Sequence, residues 1–206
     1  NISTNKTDFF REKKHFDFLN ENLLPDMISS KEKSNNRKLR IWCAASSSGE
    51  EPYTLAMTVF NHIKPNNGWD VKILATDIST RILQKAIEGT YKMDLLKDIP
   101  PRITSSHFSK VSVDKTNYYR AKDHLKDIIT FRRFNLMTEK FPFKHPFDFI
   151  FCRNVMIYFD PQTQHTLVKK FYDCLPKNGH LFIGHSETLS KNDNDFKYVQ
   201  PAIYQR

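Results

Sequence analysis

Residues 39–53 read Leu-Arg-Ile-Trp-Cys-Ala-Ala-Ser-Ser-Ser-Gly-Glu-Glu-Pro-Tyr. An apolar run from Leu39 to Ala45 ends in a turn of small residues, Ser46 to Gly49, and a new periodicity begins at Glu50. The apolar run has the length and continuity of a strand buried on both faces. Beyond the turn, Leu55, Ala56, Val59 and Phe60 recur at helical spacing, and Pro52 fits a first helical turn, where a missing N–H costs nothing. A buried strand running through a tight turn into a helix is the opening unit of a parallel sheet with helical crossovers.

The alternation continues outward. Residues 71–76 form a second apolar run, closed by Asp77 and followed by a helical pattern over 79–88. Residues 128–134, 147–152, 179–184 and 197–204 read as further strands, with a helix over 161–175. Residues 91–127 interrupt the order, and two short alternating runs within 110–121 predict a hairpin turning around Asp114 to Asn117. Upstream, Phe16, Leu19, Leu23 and Met27 sit at helical spacing, and the polar stretch 29–38 reads as a loop.

The 206 residues suit one domain with a small insertion and are enough to bury a substantial core. Hydrophobic residues make up 39% of the chain, which argues against disorder. The formal net charge of +9 suits an acidic partner, an anionic membrane or nucleic acid. No basic tract with interleaved aromatics and no zinc-finger or RNA-binding signature supports a nucleic-acid role. Cys43, Cys152 and Cys174 are widely spaced and mostly lie in apolar runs, so they read as free thiols of a reducing compartment rather than disulfides or metal ligands. With no apolar run of membrane-spanning length and no signal-peptide core, the chain reads as cytoplasmic.

Ligands of an open parallel sheet bind at the carboxyl ends of its strands. The turn after the first strand lacks the G-x-G-x-x-G of dinucleotide sites. Its carboxylates, Glu50 and Glu51, would repel a pyrophosphate and welcome a cationic group; they would equally serve to complement a helix dipole. Asp77, 28 residues beyond Gly49, can accept from both hydroxyls of a ribose, although a helix N-cap is the competing reading. Asn135 and Leu136, after the strand at 128–134, can offer an amide and an apolar face to a base, or can simply turn the chain. Arg153 and Asn154 abruptly follow a fully apolar strand, where an arginine is either exposed or expensive.

Taken together, five stretches resemble the chemotaxis-receptor glutamate methyltransferase (CheR) family. They are N-x-T-x-F-F-R at residues 5–11, S-x-G-E-E-P-Y at 47–53, A-T-D-I at 75–78, F-D-F-I-F-C-R-N-V-M-I-Y-F-D at 147–160, and G-H-S-E at 184–187. The likeness covers essentially the whole chain. It implies a Rossmann-like α/β fold: a seven-stranded S-adenosylmethionine-dependent methyltransferase sheet over residues 1–206, with a small β insertion at about 108–122. Family members usually carry a helical domain ahead of the first motif; only four residues precede it here, so that domain is expected to be absent.

The resemblance also implies roles. Asn5, Thr7 and Arg11 would reach over the cofactor, Gly49 and Glu51 would line the methionine end, and Asp77 would hold the ribose. Asn135 and Leu136 would flank the adenine, Arg153 and Asn154 would lie beside the cofactor, and Tyr158 would stand near the transferred methyl. Arg11 and Tyr158 are the expected catalytic pair, Arg11 orienting the incoming carboxylate. The implied activity is methyl transfer from S-adenosylmethionine to glutamates on acidic cytoplasmic helices of chemoreceptors, by a monomer that needs no metal. In some members the β insertion grips a short peptide at the receptor's C-terminus. A non-catalytic S-adenosylmethionine-binding signalling module is the alternative; an RNA methyltransferase and a nicotinamide-dependent oxidoreductase lack their expected motifs.

Overall fold

The computed structural model describes residues 7–113, 115–189 and 195–206. Among these residues, ten strands form two sheets. The larger contains β1 (Lys38–Ala44), β2 (Asp70–Asp77), β6 (Ile129–Arg133), β7 (Phe149–Cys152), β8 (His180–Ile183), β9 (Lys197–Gln200) and β10 (Ile203–Gln205), in the spatial order β6-β2-β1-β7-β8-β10-β9. The pairs from β6 through β8 are parallel, and β10 is inserted antiparallel between β8 and β9. The order reverses beside β1, the place where a doubly wound sheet opens its ligand crevice. This is the seven-stranded Rossmann-like sheet that the resemblance implies.

Side-chain alternation explains why β1 and β7 read as continuous apolar runs. Leu39, Ile41 and Cys43 join Phe149 and Phe151 in the core on one face, whereas Trp42 and Ala44 join Ile150 and Cys152 in the core on the other. A central strand covered on both sides has no polar face to show. The first face is covered by the N-terminal helices α1 (Lys13–Phe18) and α2 (Leu24–Lys33) and by α3 (Glu50–Phe60); α4 (Thr80–Glu88) follows β2. Two short helices, α5 (Pro101–His107) and α6 (Asp123–Lys126), precede and follow the two longer strands of the smaller sheet in the chain. The second face is covered by α7 (Pro161–Asp173), through Leu167, Val168 and Phe171.

Three local readings are corrected. The polar stretch from 29 is helical as far as Lys33, because the π-helical turn Leu19–Leu23 joins α1 to α2 without a break. The single strand at 197–204 is a hairpin, β9 and β10, which turns at Pro201 and Ala202 with a register shift between Ile203 and Tyr204. In the smaller sheet, β4 (Phe108–Val113) and β5 (Thr116–Ala121) are joined by a third strand, β3 (Thr90–Lys92), on the far side of β5. Asp114, at the hairpin turn, lies outside the described residues. Among those residues, no helix is long and apolar enough to cross a membrane.

Candidate active site

Three loops meet at the carboxyl ends of β1, β2 and β7. After β1 the chain turns sharply through Ala45 (φ 69°), Ser47 (φ 48°) and Gly49 (φ 100°). Left-handed conformations of residues other than glycine cost of order 1–3 kcal/mol each, so they need support. The Ser46 N–H donates to the Thr76 carbonyl (2.7 Å) and the Ser47 N–H to Asp77 Oδ2 (2.9 Å). Asp77 Oδ1 accepts from the Ser79 N–H (3.0 Å), while the hydroxyl of Ser79 caps α4. Asp77 therefore ties two loops together without being the helix cap. Two of the roughly four lone-pair sites of a carboxylate are used, and acceptor capacity remains on both oxygens for a diol.

The N-terminal segment crosses in front of this turn. Phe9 anchors it, buried edge-on against Tyr91 and Phe108. The Phe10 N–H donates to Thr54 Oγ1 (3.3 Å) and its ring packs against Phe16. The paired phenylalanines of the first motif thus pin Thr7 and Arg11 beside the β1 and β2 turns. Thr7, Asp8, Arg11, Glu51, Asp77, Arg153 and Asn154 all line one cavity of about 60 Å³. Pockets that close around a whole drug-sized ligand start at roughly 300 Å³, so this cavity encloses only one end of such a molecule.

Arg153 sits behind the cavity with its side chain 2% exposed. Its Nη1 pairs with Glu51 (3.0 Å), its Nε and Nη2 lie 3.3 Å from Glu12 Oε2, and Nη2 donates to the Arg11 carbonyl. The guanidinium also lies over the rings of Phe16 and Phe151. One buried cation thereby binds a carboxylate from α3 and another from the N-terminal segment. Burial works to raise the Glu12 carboxyl, but Arg153, Asn154, the His185 N–H and His15 together hold it below the ordinary value. Glu51 stays raised by burial, against the pull of Arg153 and a hydrogen bond from Cys43 Sγ (3.1 Å). A partly exposed, incompletely neutralised carboxylate at the cavity wall fits a cationic amino group.

Asn154 (φ 56°) is held from two sides: its Nδ2 donates to Glu12 Oε1 (3.2 Å) and its N–H to Glu187 Oε2 (3.0 Å). Gly184 leaves room for this, since a Cβ there would come within 2.5 Å of Asn154 Nδ2. Glu12 and Glu187 were not singled out from sequence. Both close motifs that were, Glu12 directly after the phenylalanine–arginine run and Glu187 at the end of residues 184–187.

Of the anticipated residues, Thr7, Arg11, Glu51, Asp77, Arg153 and Asn154 come together. Gly49 does not line the cavity; it faces Tyr91 and Ala86, and its φ of 100° starts α3. Asn135 and Leu136 follow β6 outside the cavity, where Asn135 Oδ1 accepts from the Met137 N–H (3.0 Å) and Leu136 packs in the second core. Their strand is tied to the site by the Phe134 N–H, which donates to the Asp77 carbonyl (3.0 Å). Tyr158 is 54% exposed in the 3-10 turn Met156–Tyr158, also outside the cavity. Asn5 lies outside the described residues. Glu50, the other acidic residue of the turn, points away and accepts from the Ser48 hydroxyl.

Glu12, His15 and His185 bring ligand-type atoms within 4.8 Å of one another. Both Glu12 oxygens are already engaged, however, and a buried guanidinium stands 3.3 Å from one of them. The cluster reads as part of the charge network. His15 is fully buried, and neither ring nitrogen has a hydrogen-bond partner among the described residues. Burial, reinforced by Arg153 and only partly opposed by Glu12, lowers its pKa to about 3, so it is neutral at pH 7.

Over residues 5–204 the chain matches the family described as "CheR methyltransferase, SAM binding domain". It is 47% identical to a "Chemotaxis protein methyltransferase" of Borreliella burgdorferi over 206 residues, 100% of this chain and 71% of that protein. It is 35% identical to the "Chemotaxis protein methyltransferase" of Escherichia coli over 204 residues, 98% of this chain and 68% of that protein.

Proposed function

The chain belongs to the CheR methyltransferase family and carries its S-adenosylmethionine-binding domain, and from that premise we propose that it esterifies glutamate side chains on the acidic cytoplasmic helices of chemoreceptors. The observation that carries this reading is the convergence of Thr7, Arg11, Glu51, Asp77, Arg153 and Asn154 at the carboxyl ends of β1, β2 and β7. Asp77, with acceptor capacity left on both carboxylate oxygens, suits a ribose. Glu51, less than fully neutralised by Arg153, suits the amino group of a methionine moiety. Asn135 and Leu136 would take the outer, adenine end.

When bound, S-adenosylmethionine supplies a sulfonium-activated methyl group that an ionised carboxylate can accept directly. A glutamate has a reference pKa of about 4.3, so no general base is required of this chain. Its tasks are orientation and exclusion of water. In this reading Arg11 orients the incoming carboxylate from the pinned N-terminal segment, and Tyr158, on the exposed turn after β7, stands on the acceptor side. The net charge of +9 favours encounter with an acidic helix.

The test is transfer of labelled methyl groups to a receptor cytoplasmic fragment, with release of the label by mild base as the mark of an ester. Arg11→Ala should lower turnover by roughly 10²-fold, the scale of a misplaced reactant, with little change in S-adenosylhomocysteine affinity by calorimetry. Base-stable label, or unchanged turnover in Arg11→Ala, would overturn the assignment.

A further inference from the structure

Glu187 is a buried carboxylate outside the cavity, 6% exposed. It spends its oxygens on backbone N–H groups from two loops. Oε2 accepts from Gly184 (2.6 Å) and Asn154 (3.0 Å), and Oε1 accepts from Ile157 (3.3 Å). The first bond is local. The other two reach across to the segment that follows β7, which holds Asn154 at φ 56° and the 3-10 turn Met156–Tyr158. Within it, Met156 is buried in the second core and Asn154 is also held by Glu12. Asn154 stands two residues past the end of β7, and Tyr158 is more exposed than buried. The segment's carbonyl side is held from α7, where Gln164 Nε2 donates to the Met156 carbonyl (2.9 Å) and the Phe159 carbonyl (3.0 Å).

We infer that Glu187 is a positioning residue for methyl transfer, fixing Asn154 and the Met156–Tyr158 turn from the N–H side while Gln164 fixes the turn from the carbonyl side. The inference rests on the proposed function, in which Asn154 lines the cofactor cavity and Tyr158 stands on the acceptor side. Glu187 itself does not line the cavity. Only an acceptor on both oxygens satisfies the site. A neutral amide can keep the bonds from Gly184 and Asn154, but its NH₂ must then face the Ile157 N–H, donor against donor. Glu187→Gln is therefore a selective lesion of the turn.

The experiment compares the wild type with Glu187→Gln and Gln164→Met in three measurements: turnover on a receptor fragment, S-adenosylhomocysteine affinity by calorimetry, and amide hydrogen exchange along the chain. Both variants should lose about 10-fold or more in kcat, the scale of a disturbed reacting geometry, while affinity changes by less than about 3-fold, under 1 kcal/mol. Exchange should quicken at residues 156–159 and stay unchanged in the sheet. Gln164 is only half-buried, so Gln164→Met keeps the test available if Glu187→Gln does not fold. Faster exchange throughout, affinity lost in step with kcat, or no change in any measurement would overturn the inference. If the wild type transfers no methyl to receptor, the functional reading fails instead. The exchange pattern then still decides whether Glu187 holds the turn, and an unchanged pattern sinks the inference by itself.

Discussion

Arg153→Met removes the buried cation but keeps an unbranched stem to pack between Phe16 and Phe151. What it leaves behind is costly: Glu12 and Glu51, with side chains only 13% and 16% exposed, lose their shared partner. Breaking a buried pair by removing one member costs about 3–5 kcal/mol. For a chain of this length that corresponds to a Tm lower by roughly 6–20 °C. The pH dependence carries the stronger test. Burial pushes Glu12 up, and in the wild type Arg153 and its neighbours bring it net below its ordinary value. Its contribution is therefore present above its unfolded pKa and lost as pH falls. Without Arg153, burial would leave both carboxylates above their unfolded values. The folded variant would then take up protons more readily than its unfolded chain and gain stability on acidification. His15, relieved of Arg153, would also protonate at less cost. The Tm gap between wild type and variant should narrow between pH 8 and pH 5, followed by circular dichroism. Adding Glu12→Gln and Glu51→Gln should recover part of the loss at pH 8. A drop below about 3 °C at pH 7 would place the loss under the range expected for a broken buried pair, and a gap that widened in acid would refute the charge argument outright.

Two further substitutions test neighbouring parts of the argument. His15 has its pKa lowered to about 3 by burial, so the unfolded chain binds the proton first and the fold loses about 2 kcal/mol between pH 7 and pH 5; His15→Phe should abolish that loss in urea titrations at the two pH values, and an equal loss in both proteins would count against it. At Gly49, a Cβ would stand 2.6 Å from the Tyr91 hydroxyl at a φ of 100°; Gly49→Ala should cost about 1–3 kcal/mol, and less in a Tyr91→Phe background, with additivity excluding the steric account.

The sheet was legible because its central strands are buried on both faces. Leu39 to Ala44 and Phe149 to Cys152 feed two cores at once and have no polar alternation to disguise them. Where burial is one-sided or brief, the pattern failed. Thr90–Lys92 is three residues long, and the stretch 197–204 folds back on itself as a hairpin, with Ala202 taking the turn at φ 63°. Residues at or just after strand ends were legible for the same topological reason, and four of them, Glu51, Asp77, Arg153 and Asn154, share the cavity. Asn135 and Leu136 also follow a strand, but β6 is the edge of the sheet, and its loop lies outside the enclosed portion.

The charge network was beyond any local pattern. Sequence leaves Arg153 as either exposed or expensive, and its partners, Glu51 and Glu12, are 102 and 141 residues away. Backbone conformation supplies the reason for so large an investment. The chain has five glycines, and among the described residues ten positions other than glycine take positive φ. Some are asparagines in ordinary turns. Five are at the site: Ala45, Ser47 and Asn154 line the cavity, and Phe10 and Glu12 flank its lining residue Arg11 in sequence. At of order 1–3 kcal/mol each, their strain rivals the whole stability of a domain. It persists because the bonds from Ser47 to Asp77, from Arg153 to Glu12 and Glu51, and from Asn154 to Glu12 and Glu187 hold it in place. The residues that touch the cavity and those that brace it are therefore one cooperative unit, and the scarcity of glycine makes the bracing set necessary.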